Sequence, residues 1–305
     1  MQLVTVSDSK AASEQDCARA LEHGDILFFP VTPFELPEAD QQFLRSLSGT
    51  GGPDEKLGAA HHKNVAYKPA LDKVSGHGSA DAGRLREIFH RYSERVTGFV
   101  AALLPRYRAK WKLDYASFRS EEEEGRDLPW NKRNDLLHVD SFPSRPTNGD
   151  LILRVFTNIN PSKTRVWLTG DPFETLAKQY AVDAGLDRIA SSARSPFAPL
   201  KRALVKTAGP LLRVPDRSPY DRFMLGFHDY LKHNAEYQKS SRKYRFEFPP
   251  GSTWMVFTDI VPHAVLSGQY ALEQTFIIAR PSLSCQACAP ANILEHLSHC
   301  RLTYS

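Results

Sequence analysis

Between residues 113 and 280 the chain is cut into apolar runs of four to nine residues, with turns rich in proline and glycine between them. That texture constrains the fold more than any other feature. Runs so short, bounded by turn residues and enriched in branched and aromatic side chains, are strands. They are expected at 115–119, 136–140, 151–158, 165–168, 244–248, 253–257 and 272–280. Pro143, Pro146, Asn148-Gly149 and Pro249-Pro250-Gly251 supply turns. Two helices interrupt, at 172–180 and 219–234. The second opens with Ser218 as N-cap, Pro219 at the first helical position and Asp221 at the capping-box position. Many short strands with few long helices argue for a jelly-roll-type double sheet.

The part before residue 113 reads as mixed α/β. A helix over 11–23 ends at Gly24, and a strand over 26–29 stops at Pro30. A longer helix over 82–104 is marked by Leu85, Ile88, Phe89, Tyr92, Val96, Phe99, Val100 and Leu103, which fall at three- and four-residue steps on one stripe. Residues 47–58 are turn-rich, and their Gly-Thr-Gly-Gly lacks the strand and the Lys-Ser/Thr of a phosphate loop. His61, His62, Lys63 and Asn64 form a polar cluster that reads as a loop, with contact to substrate as the alternative. With no repeat and no linker in 305 residues, the expectation is one domain over 1–305. It is mostly β with α: a mixed α/β part over 1–112, a jelly-roll core over 113–281 with a helical insertion near 171–240, and a C-terminal tail over 282–305.

His138 and Asp140 stand two residues apart in an apolar run, so on a strand both point to one face. A second histidine, His263, follows an apolar strand and a proline. Two histidines and one carboxylate with an open opposite side form the facial triad of non-haem Fe(II) oxygenases. Zinc would accept the same set, and a packed His138 partnered by Asp140 is the plain structural alternative. An oxygenase with three protein ligands needs a reductant beside the metal. A 2-oxoacid can chelate it, provided a buried cation meets its far carboxylate, and arginine suits that role. Arg154 interrupts an apolar strand and shares a face with Ile152, Phe156 and Asn158; Arg280 ends another, in line with Gln274, Phe276 and Ile278. A charge in such company is paired or lies at an exposed strand end.

The net charge is only +4, yet Lys and Arg outnumber Asp and Glu by twelve to four over 194–245. Such an excess attracts phosphate or an anionic surface, and no nucleic-acid module accompanies it. The Glu121–Glu124 stretch reads as a solvated run. No apolar run reaches the length of a membrane span, and the first twenty residues lack a signal-peptide pattern, so a cytoplasmic protein is expected. Four cysteines fit a reducing compartment; Cys285, Cys288 and Cys300, with His296 and His299, leave a tail zinc site open beside free thiols.

The stretches HVDSFPSRPTNGDLILRVFTNINP and PPGSTWMVFTDIVPHAVLSGQYALEQTFII resemble the Fe(II)/2-oxoglutarate-dependent oxygenases, and within them the Kdo hydroxylases. These act on 3-deoxy-D-manno-oct-2-ulosonic acid (Kdo) in the inner core of lipopolysaccharide. LEHGDILFFP, HHKNVAY, RVWLTGDPFETLAKQY and SPYDRFMLGFHDYLKHN extend the likeness over roughly residues 18–280. It implies a double-stranded β-helix, iron held by His138, Asp140 and His263, and use of 2-oxoglutarate and O2 with ascorbate as a supporting reductant. It also implies hydroxylation of C3 of Kdo in a Kdo-lipid A acceptor at the inner face of the inner membrane, where Lys201, Arg202, Lys206, Arg213 and Arg217 would meet anionic groups. The chain departs from many such oxygenases where they carry an arginine ten to thirteen residues after the second histidine: Glu273, Gln274 and Thr275 stand there. The cosubstrate cation is therefore sought at Arg154 first and Arg280 second. Another 2-oxoglutarate oxygenase with a different anionic substrate, or a non-catalytic jelly-roll sugar binder, are the alternatives.

Overall fold

Eight strands form the larger of two sheets in this computed structural model, which describes residues 1–47, 65–76, 81–197, 202, 203, 205, 207 and 215–304. In chain order the strands are β1 Leu3–Thr5, β2 Ile26–Phe29, β3 Val65–Lys68, β4 Lys73–Ser75, β5 Trp111–Arg119, β6 Leu151–Asn158, β7 Arg165–Thr169, β8 Tyr244–Phe248, β9 Thr253–Phe257, β10 His263–Ser267 and β11 Ala271–Ile278. The large sheet runs β1-β2-β9-β6-β11-β5-β3-β4 and the small one β10-β7-β8. Only β1 and β2 pair in parallel; the other pairings are antiparallel. The two sheets face each other as the jelly roll expected from the strand texture. Between them Phe156, Trp167, Phe248 and Trp254 stack edge-to-face and face-to-face at 4.0–5.8 Å, aromatic packing that adds to the burial of each ring.

The helices used below are α1 Glu14–Glu22, α2 Glu38–Ser46, α3 Ala82–Leu103, α4 Phe173–Tyr180, α5 Leu186–Arg194, α6 Pro219–His233, α7 Ala235–Ser240 and α8 Pro290–Ser298. The stripe of α3 lies in the core of the large sheet, with Phe99 edge-on to Phe29 and Phe89 stacked on Tyr67. A second core gathers Phe173, Leu176, Phe223, Phe227, Leu231 and Leu294 around Leu137, Val139 and Ala264. So α4, α6 and α8 close the outer face of the small sheet. Ser218 and Asp221 make the expected reciprocal capping box.

Several expectations need correction. Residues 136–140 do not form a ladder strand: Leu136 is a bend, and His138 alone bridges, to His263. The neighbouring backbone groups are taken by other partners, for Gln238 uses its side-chain amide to hold both the N–H and the carbonyl of Leu137. The stretch expected as a C-terminal tail packs on the fold over 282–304, with α8 and Leu302 buried in the second core. Cys285 and Cys288 form a disulfide, not free thiols or part of a zinc site with Cys300. The acidic run is not wholly solvated: Glu123 is 8% exposed and faces the buried Arg165 at 3.6 Å. α2, α5 and α7 were not expected from the sequence. The Gly-Thr-Gly-Gly turn, the cluster His61–Asn64, and Lys201, Lys206 and Arg213 lie outside the described residues.

Candidate metal centre

The second core explains how His138 and Asp140 are aimed. Leu137 and Val139, 1% and 0% exposed, anchor the segment in the helical layer; burying each is worth about 1.5–3 kcal/mol. Alternation then turns His138 and Asp140 to the opposite side, between the sheets. Paired amides lock the segment to β10: His138 N–H donates to His263 O at 3.1 Å, and His263 N–H to His138 O at 2.9 Å. Asp140 N–H donates to Thr258 O at 2.9 Å. His263 opens β10 opposite Thr169 of β7, and its ring stacks on Trp167 at 5.1 Å.

The ligand atoms of His138, Asp140 and His263 all lie within 4.8 Å of one another. Each histidine has Nδ1 against a backbone carbonyl, His138 on Leu136 O at 2.7 Å and His263 on Val261 O at 3.0 Å. An Nδ1–H donated there leaves the Nε2 lone pair free, the tautomer a metal needs. Burial lowers both imidazoles, most strongly His138, where the charge of His263 adds to it. Both are therefore neutral near pH 7. Burial alone would raise Asp140, but Arg154 and the two imidazoles outweigh it and hold the carboxyl well below the usual range. Two neutral imidazoles and a carboxylate fit a divalent cation such as Fe(II).

Close by, Asp259 is 1% exposed, and burial pushes its carboxyl up to about 7, only partly offset by nearby backbone amides. The folded chain then holds a proton there that the unfolded chain gives up near pH 4. Stability falls as pH rises from about 4 to about 7, by on the order of 4 kcal/mol from this group. Asp259→Asn is expected to melt higher than wild type at pH 8 and to match it near pH 4, read as melting temperature against pH.

Behind the triad lies a buried charge cluster. Arg154 reaches Asp140 Oδ2 through Nη1 and Glu273 Oε1 through Nε, both at 3.2 Å. Arg119 of β5 reaches Glu273 Oε2 at 2.9 Å. Strand register explains the meeting, since Thr275 stands opposite Arg154 and Glu273 opposite Ser117. Glu273 is held at about 2, because Arg154 and Arg119 outweigh its burial. Arg165 opens β7 on the face that carries Trp167 and is 1% exposed. Burial, then the charge of Arg119, lowers it to about 10. Its Nη1 donates to Gly268 O at 2.9 Å. Gly268 sits at φ +120°, and a Cβ there would fall 2.7–2.9 Å from Arg165, so only glycine admits that approach.

A sequence profile of 3-deoxy-D-manno-oct-2-ulosonic acid (Kdo) hydroxylases matches residues 5–301. The chain belongs to the Kdo hydroxylase family. Solved structures agree with that membership. The Kdo hydroxylase KdoO, a non-haem Fe(II) α-ketoglutarate-dependent dioxygenase solved with α-ketoglutarate and Fe(III), is 34% identical over 99% of this chain and 98% of its own, with a TM-score of 0.82. Its cobalt(II) complex aligns at 36% identity over the same shares with a TM-score of 0.82, and its succinate and Fe(III) complex at 35% and 0.80. No curated protein sequence matches.

Within this family member the structure brings His138, Asp140, His263 and Arg154 together and places Arg280 apart. Arg280 follows the end of β11, where its guanidinium bonds Asn292 at 2.9 Å and Thr303 at 3.1 Å and faces Glu295 at 3.6 Å. It ties the C-terminal helix to the sheet. Sequence reading missed Arg119, Arg165, Glu123 and Glu273 as parts of the hydroxylase cluster. The signal for both arginines was the one that marked Arg154, a cation within or at the end of an apolar strand.

Proposed function

We propose that this chain hydroxylates C3 of Kdo in a Kdo-lipid A type glycolipid, using Fe(II), 2-oxoglutarate and O2. The observation that supports it most is the convergence of two neutral, Nε2-free histidines and one carboxylate, backed by buried arginines, in a member of this family. Bound Fe(II) would supply the site where O2 is activated as 2-oxoglutarate loses CO2 and becomes succinate. The protein holds the metal through His138, Asp140 and His263 and keeps the site walled by the two sheets.

Arg119, Arg154 and Arg165 meet Asp140, Glu123 and Glu273 in the interior, and Arg126 reaches Glu123 at 3.3 Å. A divalent metal together with a dianionic 2-oxoacid adds no net charge to this cluster. The proposal assigns the far carboxylate of 2-oxoglutarate to it, with Arg154, which pairs directly with the metal ligand Asp140, ranked ahead of Arg119 and Arg165. Arg280, already engaged by α8, is not part of it.

Purified protein with Fe(II), ascorbate, 2-oxoglutarate and a Kdo2-lipid A acceptor is expected to yield succinate and a lipid heavier by one oxygen. Iron-loaded protein that gives no mass gain would overturn the Kdo assignment. Succinate release on another anionic substrate would then mark a related oxygenase.

The proposal includes peripheral contact with an anionic membrane surface through the basic stretch over 194–245. No helix among the described residues is long and apolar enough to cross a membrane. Arg202 pairs with Asp216 at 3.5 Å and lies over the Tyr304 ring, and Arg217 donates to Pro143 O. The contact is thus assigned to Lys201, Lys206 and Arg213, each worth about 1 kcal/mol near such a surface. Reversing all three charges is expected to weaken binding to anionic liposomes; unchanged binding in a sedimentation assay would remove this part of the proposal.

A further inference from the structure

Lys232 is 6% exposed, yet no ion pair reaches it among the described residues; its one hydrogen bond goes to the carbonyl of Asn131 at 3.4 Å. The acids whose charge bears on it are Asp140, Asp229 and Asp135. Asp140 already faces Arg154, Asp135 is held by both arms of Arg133 at 2.9 and 2.6 Å, and Asp229, three residues earlier on α6, is exposed and makes no ion pair with Lys232. A buried ammonium without a counter-ion costs several kcal/mol. A buried group of this kind beside a candidate metal centre marks a candidate ligand-binding position.

Its location names the ligand. Lys232 lies one helical turn after His228 on α6, so the two share a face. His228 touches Val139, between the two metal ligands, with Nδ1 against Val139 O at 2.8 Å. Its ring stands edge-on to His138 at 4.9 Å. That face of α6 therefore walls the triad from the helical side, while the arginine cluster backs it from strands β5, β6 and β7. The charge of Lys232 also reaches His138 and Asp140.

The arginines answer one anion, the cosubstrate. Lys232, on a different element, is suited to a second. We propose that Lys232 binds the C1 carboxylate of the Kdo acceptor, with His228 beside it as a hydrogen-bonding wall of the sugar site. The inference rests on the Kdo reading above. The C1 carboxylate is borne by C2, the neighbour of C3, so one salt bridge fixes the carbon to be hydroxylated relative to the metal.

The test compares a Kdo-lipid A acceptor with the same acceptor esterified at C1, on wild type, Lys232→Met and Lys232→Arg, with 2-oxoglutarate affinity measured in parallel from the visible band of the anaerobic Fe(II) complex. Wild type is expected to lose roughly tenfold to hundredfold in kcat/KM on the ester. Lys232→Met should lose a similar factor on the acid and nothing further on the ester, Lys232→Arg should recover part of it, and all three should bind 2-oxoglutarate alike. The wild-type comparison needs no variant to fold. Equal turnover of acid and ester by wild type, or equal losses by Lys232→Met on both, would overturn the inference alone. A wild type inactive on the acid would overturn the Kdo reading and this inference with it.

Discussion

His138→Ala and Asp140→Ala are each expected to lower 2-oxoglutarate turnover by more than about 100-fold, since groups that merely orient ligands already contribute 10–100-fold. The visible band of the anaerobic Fe(II)–2-oxoglutarate complex should disappear with the activity. The fold should survive, because the segment is held by contacts that neither change removes. Leu137 and Val139 stay in the helical core, and the His138–His263 amide pair is backbone only. Asp140→Ala does leave Nη1 of Arg154 without its carboxylate, but Nε keeps Glu273. A modest fall in melting temperature is thus expected for Asp140→Ala and a smaller one for Asp140→Asn. Turnover retained by both alanine variants, with iron still bound, would reject the triad.

The strands were legible where side-chain pattern and backbone pairing coincide. Residues 26–29, 151–158, 244–248 and 253–257 begin and end in the structure where apolar runs meet turn residues. The α3 stripe was legible for the same reason, a period that only one packed face explains. The 136–140 segment was misjudged because its partners are distant in sequence and mixed in kind: Gln238, Thr258 and His263. No local pattern encodes that. Glu123 resembled a solvated acid because the partners that hold it, Arg126, Asn134 and Arg165, are gathered by the fold and leave no mark in an acidic run. Lys232 was likewise hidden in an ordinary helix, as its burial arises from the way α6 covers the ligand segment. Charges inside strands are readable as anomalies; charges on a helix face are not.

Arg154→Ala is expected to have two separable effects, and Arg280→Ala only one. Arg154 answers two buried carboxylates at 3.2 Å, so its loss leaves Asp140 with no guanidinium and Glu273 with Arg119 alone. Breaking such a network costs about 3 kcal/mol or more. The pH dependence follows in sign. Asp140 and Glu273 are depressed in the folded chain, so their stabilisation is present above the unfolded carboxylate range near pH 4 and fades as pH falls through the folded values. Without Arg154 both carboxyls rise, and the acid unfolding midpoint should move to higher pH. The second effect is on the cosubstrate: 2-oxoglutarate affinity should fall at least about tenfold, the size of one charge-assisted pair, and Arg154→Lys should restore only part of it because a point charge cannot reproduce the fork. Arg280→Ala removes bonds to Asn292 and Thr303 and should lower the melting temperature while leaving 2-oxoglutarate affinity unchanged. An unchanged cosubstrate affinity in Arg154→Ala would move the clamp to Arg119 and Arg165, whose alanine variants would then carry the loss; a loss in Arg280→Ala in its place would mean that the cosubstrate extends toward α8 and away from the interior cluster.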